Sequence, residues 1–273
     1  MHILSLPFAL ALTNTRSFEP PAIALSSLVS GDAATALAEA LGGDGIVQVI
    51  GIPGYASLRL AVLTHARECD GFVQPHEFAD GTVRTSIASR TVPGPGGRQP
   101  FELPDTAPCA LLAKALDPFR AVVDDATRTF SASLSSLIGV DAPLLSTPDG
   151  AHDFATFSDV VASGDHLEHL HKYDARVRAA KTASAGEPTL ELHTDQGIFI
   201  AFAPALETSQ SIFLVQRASG ERAAAVFRDD ALVFMLGHGA EAILHLKVSP
   251  HLYGATTPCC TPAYLEALRA PAQ

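Results

Sequence analysis

The chain has 273 residues, enough for one large domain or for a core domain with a helical attachment. Hydrophobic residues make up 47% and charged residues 17%, a globular balance rather than that of a disordered chain. A formal net charge of −11 argues against a nucleic-acid binder, which needs a basic face, and no run of about 18 apolar residues is present to span a bilayer.

MHILSLPFALALTNT (1–15) resembles a short secretory apolar segment, but no Lys or Arg precedes it and its cleavage site is poor. Residues 1–19 are therefore read as a leader or a signal peptide. Two compartments stay open: the cytoplasm, or secretion if residues 1–15 act as a signal. PPAIALSSL (20–28) reads as a short strand, AATALAEAL (33–41) as a helix, and GIVQVIGI (45–52) as a β-branched strand. YASLRLAVLTHAREC (55–69) reads as a second amphipathic helix. Residues 71–106, rich in Gly, Pro and polar residues, read as a long loop with a short strand pair at most. Residues 106–139 are mostly helix, which Pro118 breaks or restarts.

From about residue 165 the period changes. HLEHLHKY, LELHTDQGIFIAF, SIFLVQR, AAAVF, ALVFML, EAILHLKV and HLYGA are short apolar or alternating segments with turn signals between them. That spacing predicts a mostly β core of sandwich or jelly-roll type behind a helix-rich N-terminal half. The four cysteines, Cys69, Cys109, Cys259 and Cys260, form no CxxC pair and no zinc-finger spacing, and all four are read as free thiols. GxSxG, HExxH and a phosphate-binding GK[ST] are absent.

Within LELHTDQGIFIAF (190–202), His193 and Asp195 stand two apart in an apolar, strand-like segment, with Glu191 beside them. Residues two apart on a strand project to one side. An imidazole and a carboxylate so placed supply two adjacent positions around a divalent metal, and a third ligand from a distant strand completes a two-histidine, one-carboxylate triad. Gly197 would leave room for a ligand to approach the backbone. On the dipeptide alone, a hydrogen-bonded histidine at a sheet surface also accounts for His193. A rival set lies in HLEHLHKY: His169, His171 and Tyr173 share one strand face in the manner of a cupin-type HxH, and His166 with Glu168 forms a weaker pair. These histidines read more naturally as solvated groups, or as partners that orient the primary ligands.

The second half resembles the isopenicillin N synthase-like branch of the Fe(II)/2-oxoglutarate-dependent oxygenases. HTDQG (193–197) follows EHLHKYD (168–174) as the family's HTDxG follows a strand ending in tyrosine, and GERAAAVFRDDALVFMLGHGAE (220–241) fits the segment that comes next. His251 then falls just under sixty residues after His193, and AIALSSLVSGDAATALAEALGGDGIVQVIGIP (22–53) matches the family's N-terminal pattern. The resemblance implies a double-stranded β-helix (jelly roll) over residues 150–262 behind an N-terminal helix-rich region over 20–140. It also implies Fe(II) on His193, Asp195 and His251, with 2-oxoglutarate and O2 oxidising a C–H bond of a small organic substrate, hydroxylation being the default outcome. Tyr173 matches a tyrosine that contacts the co-substrate in relatives, and Arg217, on a predicted strand, is a second candidate for holding it.

The sequence departs from the family at two points. The family's Arg-x-Ser, whose guanidinium grips the far carboxylate of 2-oxoglutarate, falls here on Cys260, Thr261 and Pro262. The only later arginine is Arg269, and the family's Gly-Asp is Gly237-His238. Two alternatives follow: a degenerate, non-catalytic barrel, or an oxidase that uses the same iron triad without 2-oxoglutarate.

Overall fold

A computed structural model of the chain describes residues 16–70, 73–91, 99–138, 145–146, 150–151, 153–175, 189–195, 197–206, 212–240, 253–256 and 263–267. The first half runs β1 (Arg16–Phe18), β2 (Ala22–Ala24), α1 (Leu25–Ser30), α2 (Ala34–Gly42), β3 (Ile46–Ile50), α3 (Tyr55–Glu68), β4 (Val73–Glu77), β5 (Thr82–Thr91) and α4 (Ala107–Ile138). A small pair, β6 (Leu145–Ser146) and β7 (Asp153–Phe154), precedes α5 (Phe157–Ser163). The second half is β8 (His166–Ala175), β9 (Leu190–His193), β10 (Phe199–Ala203), β11 (Ile212–Gln216), β12 (Arg222–Ala225), β13 (Leu232–Leu236), β14 (Tyr253–Thr256) and β15 (Ala263–Ala267). The expected EAILHLKV strand lies outside the described residues, as does the 1–15 leader.

Three expectations from the sequence are revised. Only Ala22–Ala24 of the 20–28 segment is strand, because parallel pairing with β3 ends at Ala24 and Leu28 is buried as a helical residue instead. The 71–106 loop contains a full hairpin whose second strand, β5, is ten residues long. Pro118 neither breaks nor restarts α4, which runs unbroken for 32 residues. Pro118 and Lys114, whose carbonyl loses its donor, both sit on the exposed side where water can reach. A helix-interior proline costs about 3 kcal/mol, whereas each buried large apolar side chain returns about 1.5–3 kcal/mol. With Leu112, Leu116, Phe119, Val123, Phe130 and Leu134 all buried, burial wins.

Two sheets form the β-rich body. One has eight strands in the order β2-β3-β13-β10-β15-β8-β5-β4, and the other five in the order β1-β12-β11-β14-β9. Pairing is antiparallel except for β2 with β3 and β1 with β12. Alternation sends the side chains of the larger sheet into two cores. Phe199, Ala201, Ile87, Leu170 and Phe234 pack under the helices, Phe130 of α4 stacking on Phe234 at 4.0 Å between ring centroids. Their neighbours Ile46, Ile200, Phe202, Val233 and Met235 turn the other way and meet Phe18, Val215 and Ala223 of the smaller sheet. The body is thus a two-sheet sandwich with helices packed on one outer face.

Two links brace that helical layer. Arg120 of α4 donates to Glu168 of β8 at 2.7 Å, both side chains being almost fully buried. Cys69, just after α3, and Cys109, in the first turn of α4, form a disulfide, so the reading of free thiols is corrected for this pair. The helices bring together two residues 40 apart in sequence, which no local spacing announces. Cys259 and Cys260 lie outside the described residues.

Arg120→Ala strands a buried carboxylate and should lower unfolding free energy by about 3–5 kcal/mol, whereas replacing Arg120 and Glu168 together by apolar residues should cost much less. Urea denaturation of the two variants checks this. Cys109→Ser should lose about 4 kcal/mol from loop-closure entropy, and wild-type protein under reducing conditions should show the same loss.

Candidate metal and co-substrate site

The space between the sheets has an apolar half and a polar half. The apolar half lies between β3, β13 and β10 on one side and β1, β12 and β11 on the other. On β5 and β8 the rung Ile87↔Leu170 faces the helices. The rungs of opposite parity, Arg84↔Tyr173, Ser86↔His171 and Ala88↔His169, therefore face the smaller sheet. From that sheet, the row Ala223↔Val215↔Tyr253↔His193 starts in the apolar core and puts His193 on the same inward side. His193 and the β5–β8 polar rungs thus look into one interior.

The local arrangement of His193 suits a metal. Its Nδ1 lies 2.9 Å from the Glu191 carbonyl, and a carbonyl can only accept, so Nδ1 carries a proton and Nε2 is the atom placed to bind a metal. Nε2 faces Asp195 Oδ1 at 4.0 Å, and two adjacent ligands of one ion stand about 3 Å apart, so the pair would close by about 1 Å around a metal. Asp195 is 3% exposed and His193 is partly open, so the pair has a buried side and an accessible side. Among the described residues no three His, Cys, Asp or Glu side chains converge; His251, the third ligand implied by the resemblance, lies outside them, as do Cys260 and Arg269. The donor types, the tautomer and the burial fit a divalent cation.

Backbone hydrogen bonds hold the loop that carries Asp195. His238 N–H donates to Asp195 O at 2.7 Å, Gly239 N–H to Gly197 O at 3.0 Å, and Gly237 N–H to Ile198 O at 2.9 Å. A Cβ on Gly237 would stand 2.2 Å from Gly197 O and 2.9 Å from Asp195 O. What approaches Gly197 so closely is therefore the 237–239 backbone. Residue 238 contributes its N–H here while its side chain is exposed, which explains how histidine can stand where the family has aspartate.

The remaining sequence candidates separate cleanly. Tyr173 is buried on the inward face, its ring stacked with Phe78 at 6.3 Å. Arg217 lies in the β11–β12 turn, where its Nε and Nη2 donate to Asp44 at 3.0 and 2.8 Å and its guanidinium covers Phe18 of β1, at the opposite edge of the sheet from β9. His166 and Glu168 face the helices: His166 Nε2 donates to the Val160 carbonyl at 2.8 Å, and Glu168 holds Arg120. Burial pushes the His166 imidazole below its ordinary pKa and keeps it neutral. His169 and His171 are inward neighbours, rings 5.1 Å apart, with His171 Nδ1 2.6 Å from Ser86 Oγ. Arg84 and Ser86 went unread because 71–106 was taken as loop; the signal was the alternation of Val83, Thr85 and Ile87 with Arg84, Ser86 and Ala88.

Several solved structures share this fold. The match to a full-length Neurospora crassa protein in complex with alpha-KG has a TM-score of 0.68 at 15% identity, covering 92% of this chain and 85% of that one. AtDAO1, the dioxygenase for auxin oxidation 1 from Arabidopsis thaliana, in its 2-oxoglutarate complex, gives 0.62 at 13% identity with 93% of each chain covered. JOX2 in complex with 2OG, Fe and JA gives 0.64 at 13% identity, covering all of this chain and 81% of that one. No protein-family model and no curated protein sequence matches the chain. The chain therefore has the fold of iron- and 2-oxoglutarate-dependent dioxygenases, as the resemblance led one to expect.

Gly237→Ala should force the 195–198 loop off its position and weaken Fe(II) binding by at least about tenfold, alongside a loss of about 1–3 kcal/mol in stability; isothermal titration and urea denaturation measure the two. The neutral His166 contributes stability that is fully present above about pH 6.5, its unfolded value, and is lost as pH falls through its lower folded value. Unfolding free energy should therefore decline on acidification below pH 6.5, and His166→Gln, which keeps a donor for Val160, should flatten that part of the profile.

Proposed function

We propose that the protein is a non-haem Fe(II)- and 2-oxoglutarate-dependent dioxygenase that oxidises, by default hydroxylates, a small organic substrate. The observation that carries this reading is the His193–Asp195 pair, with Nδ1 committed to Glu191 O and Nε2 turned toward the carboxylate inside the polar half of the sandwich. The fold shared with enzymes crystallised with 2-oxoglutarate and iron supports it. In this reading residues 150–262 form the double-stranded β-helix, residues 20–140 its N-terminal region, and His251 the third ligand.

Iron held by these residues, with a 2-keto acid, would supply the oxidising power: one atom of O2 would go to the keto acid as it loses CO2 and the other to the substrate C–H bond. The chain holds and shields the site. Asp195 and His193 provide an anionic and a neutral donor, and the Glu191 carbonyl keeps the imidazole in the tautomer that can bind. The apolar half of the interior closes one end of the site to water, which strengthens electrostatic contacts within it. Tyr173, Ser86 and His171 offer hydrogen-bonding groups on the facing wall.

Anaerobic Fe(II) titration, followed by 2-oxoglutarate, tests the reading. A visible charge-transfer band at stoichiometric iron is expected. Iron bound without the band favours the oxidase alternative, and no iron at all overturns the metal assignment. Asp195→Ala should lose Fe(II) binding while its thermal melt stays cooperative, since the carboxylate is a ligand rather than a core prop.

A further inference from the structure

Arg84 stands apart from the other well-placed arginines. Arg59 is held by the carbonyls of Pro204, Ala205 and Asp229, Arg90 by Asp165, Arg120 by Glu168, and Arg217 by Asp44. Among the described residues no carboxylate or carbonyl takes a hydrogen bond from Arg84, and its Nε is buried with no hydrogen-bond partner. That is a costly state for a donor on a charged group, and an arriving anion relieves it. The chain carries 29 acidic residues and a net charge of −11, so carboxylates are plentiful. None of the described ones occupies this guanidinium.

The setting is built for a planar ligand. Arg84 sits in mid-β5 on the inward rung opposite Tyr173, with Ser86 on the next rung of the same face. The Phe78 ring lies 5.6 Å from the Arg84 guanidinium carbon, close enough for a cation–π contact, and Phe78 in turn stacks on Tyr173 with 17° between the planes. His76 meets the Phe78 edge at 4.6 Å, so the aromatic wall is itself supported. Ala88, two rungs further along the inward face, is exposed, so the interior is open there. Thr189 Oγ1 donates to Asp80 Oδ2 at 2.5 Å, tying the approach to β9 onto the β4–β5 turn. His193 lies four residues beyond that joint on one strand, and Arg84 four residues beyond it on the other.

We propose that Arg84 is the carboxylate anchor of this site, gripping in bidentate fashion either the distal carboxylate of 2-oxoglutarate or a carboxylate of the organic substrate. Only the first of these ligands rests on the dioxygenase reading. Arg84 supplies the fork that the sequence lacks at Cys260, from the opposite sheet to the one bearing His193.

The test compares wild type, Arg84→Gln and Arg84→Lys as Fe(II)-loaded anaerobic protein. Each is titrated with 2-oxoglutarate and with 2-oxopentanoate, the same keto acid with a methyl in place of the distal carboxylate. If Arg84 anchors the co-substrate, Arg84→Gln weakens 2-oxoglutarate about 100-fold and leaves 2-oxopentanoate unchanged, with Arg84→Lys between. If 2-oxoglutarate binds wild type and Arg84→Gln alike, thermal shifts against a panel of aryl and alkyl monocarboxylates and their carboxamides decide. An acid that stabilises wild type but not Arg84→Gln, while its amide stabilises neither, assigns the substrate carboxylate. Identical behaviour of wild type and Arg84→Gln in both series overturns the proposal. Fe(II) affinity and a cooperative melt, equal in all three proteins, exclude misfolding as the cause. If wild type binds iron but forms no 2-oxoglutarate chelate, the dioxygenase reading fails, and the panel, run on the iron-loaded protein alone, still decides Arg84.

Discussion

Three central strands of the eight-stranded sheet, β3, β13 and β10, serve two cores at once. On β10 and β13, where both faces meet apolar partners, the sequence is continuous: Phe199 to Ala203 and Leu232 to Leu236 are buried at every position. On β5 and β8 the demand differs between faces, and the residues alternate accordingly. Ile87 and Leu170 go to the helices, whereas Arg84, Ser86, His171 and Tyr173 go to the interior. That change of character across one sheet divides the interior into a dry end and a polar end. The site exists because the apolar filling stops at β10.

The outer face of β8 carries polar groups as well, and there each is neutralised or bonded. Glu168 has Arg120, and His166 has the Val160 carbonyl. Both are buried; His166 is tied through Nε2, and its buried Nδ1 has no hydrogen-bond partner. A charged pair out of water is a poor source of net stability, but once built it cannot lose one member cheaply. With the Cys69–Cys109 bridge it pins α3 and α4 across the back of the very strands whose fronts line the site. A rigid back wall is what lets Arg84 and Tyr173 stand in fixed positions on the front.

Periodicity made α2, α3, α4, β3 and the strand-rich second half legible, while α1 was read as strand; a short motif singled out His193 and Asp195. The failures have physical causes. β5 was read as no more than part of a short strand pair because TVRTSIASRT alternates only weakly, its helix-facing side mixing Thr85 and Ser89 with Val83 and Ile87. Pro118 misled because propensity describes an isolated helix, whereas α4 is held by the core beneath it. The disulfide and the Arg120–Glu168 pair join residues 40 and 48 apart, and such pairings are set by tertiary packing alone. Arg217 was a candidate because SIFLVQR reads as a strand, with a strand-end charge as the plainer reading; the strand does end at Gln216, and the guanidinium is taken by Asp44.

The HTDQG loop shows how a candidate metal site keeps its backbone path while the sequence around it changes. The accuracy of Asp195 depends on three backbone bonds from 237–239, and those bonds ask nothing of the side chain at 238. They do ask for the absence of one at 237, where any Cβ collides with Gly197 O. Constraint therefore falls on glycines and on backbone path rather than on the polar residue beside them. The same division applies across the interior. A position whose side chain meets the ligand directly, as a guanidinium fork does, must be filled from some strand, but the fold does not dictate which. Several strands present inward rungs to one cavity, so a carboxylate grip can move from one to another without disturbing the donors that hold the metal.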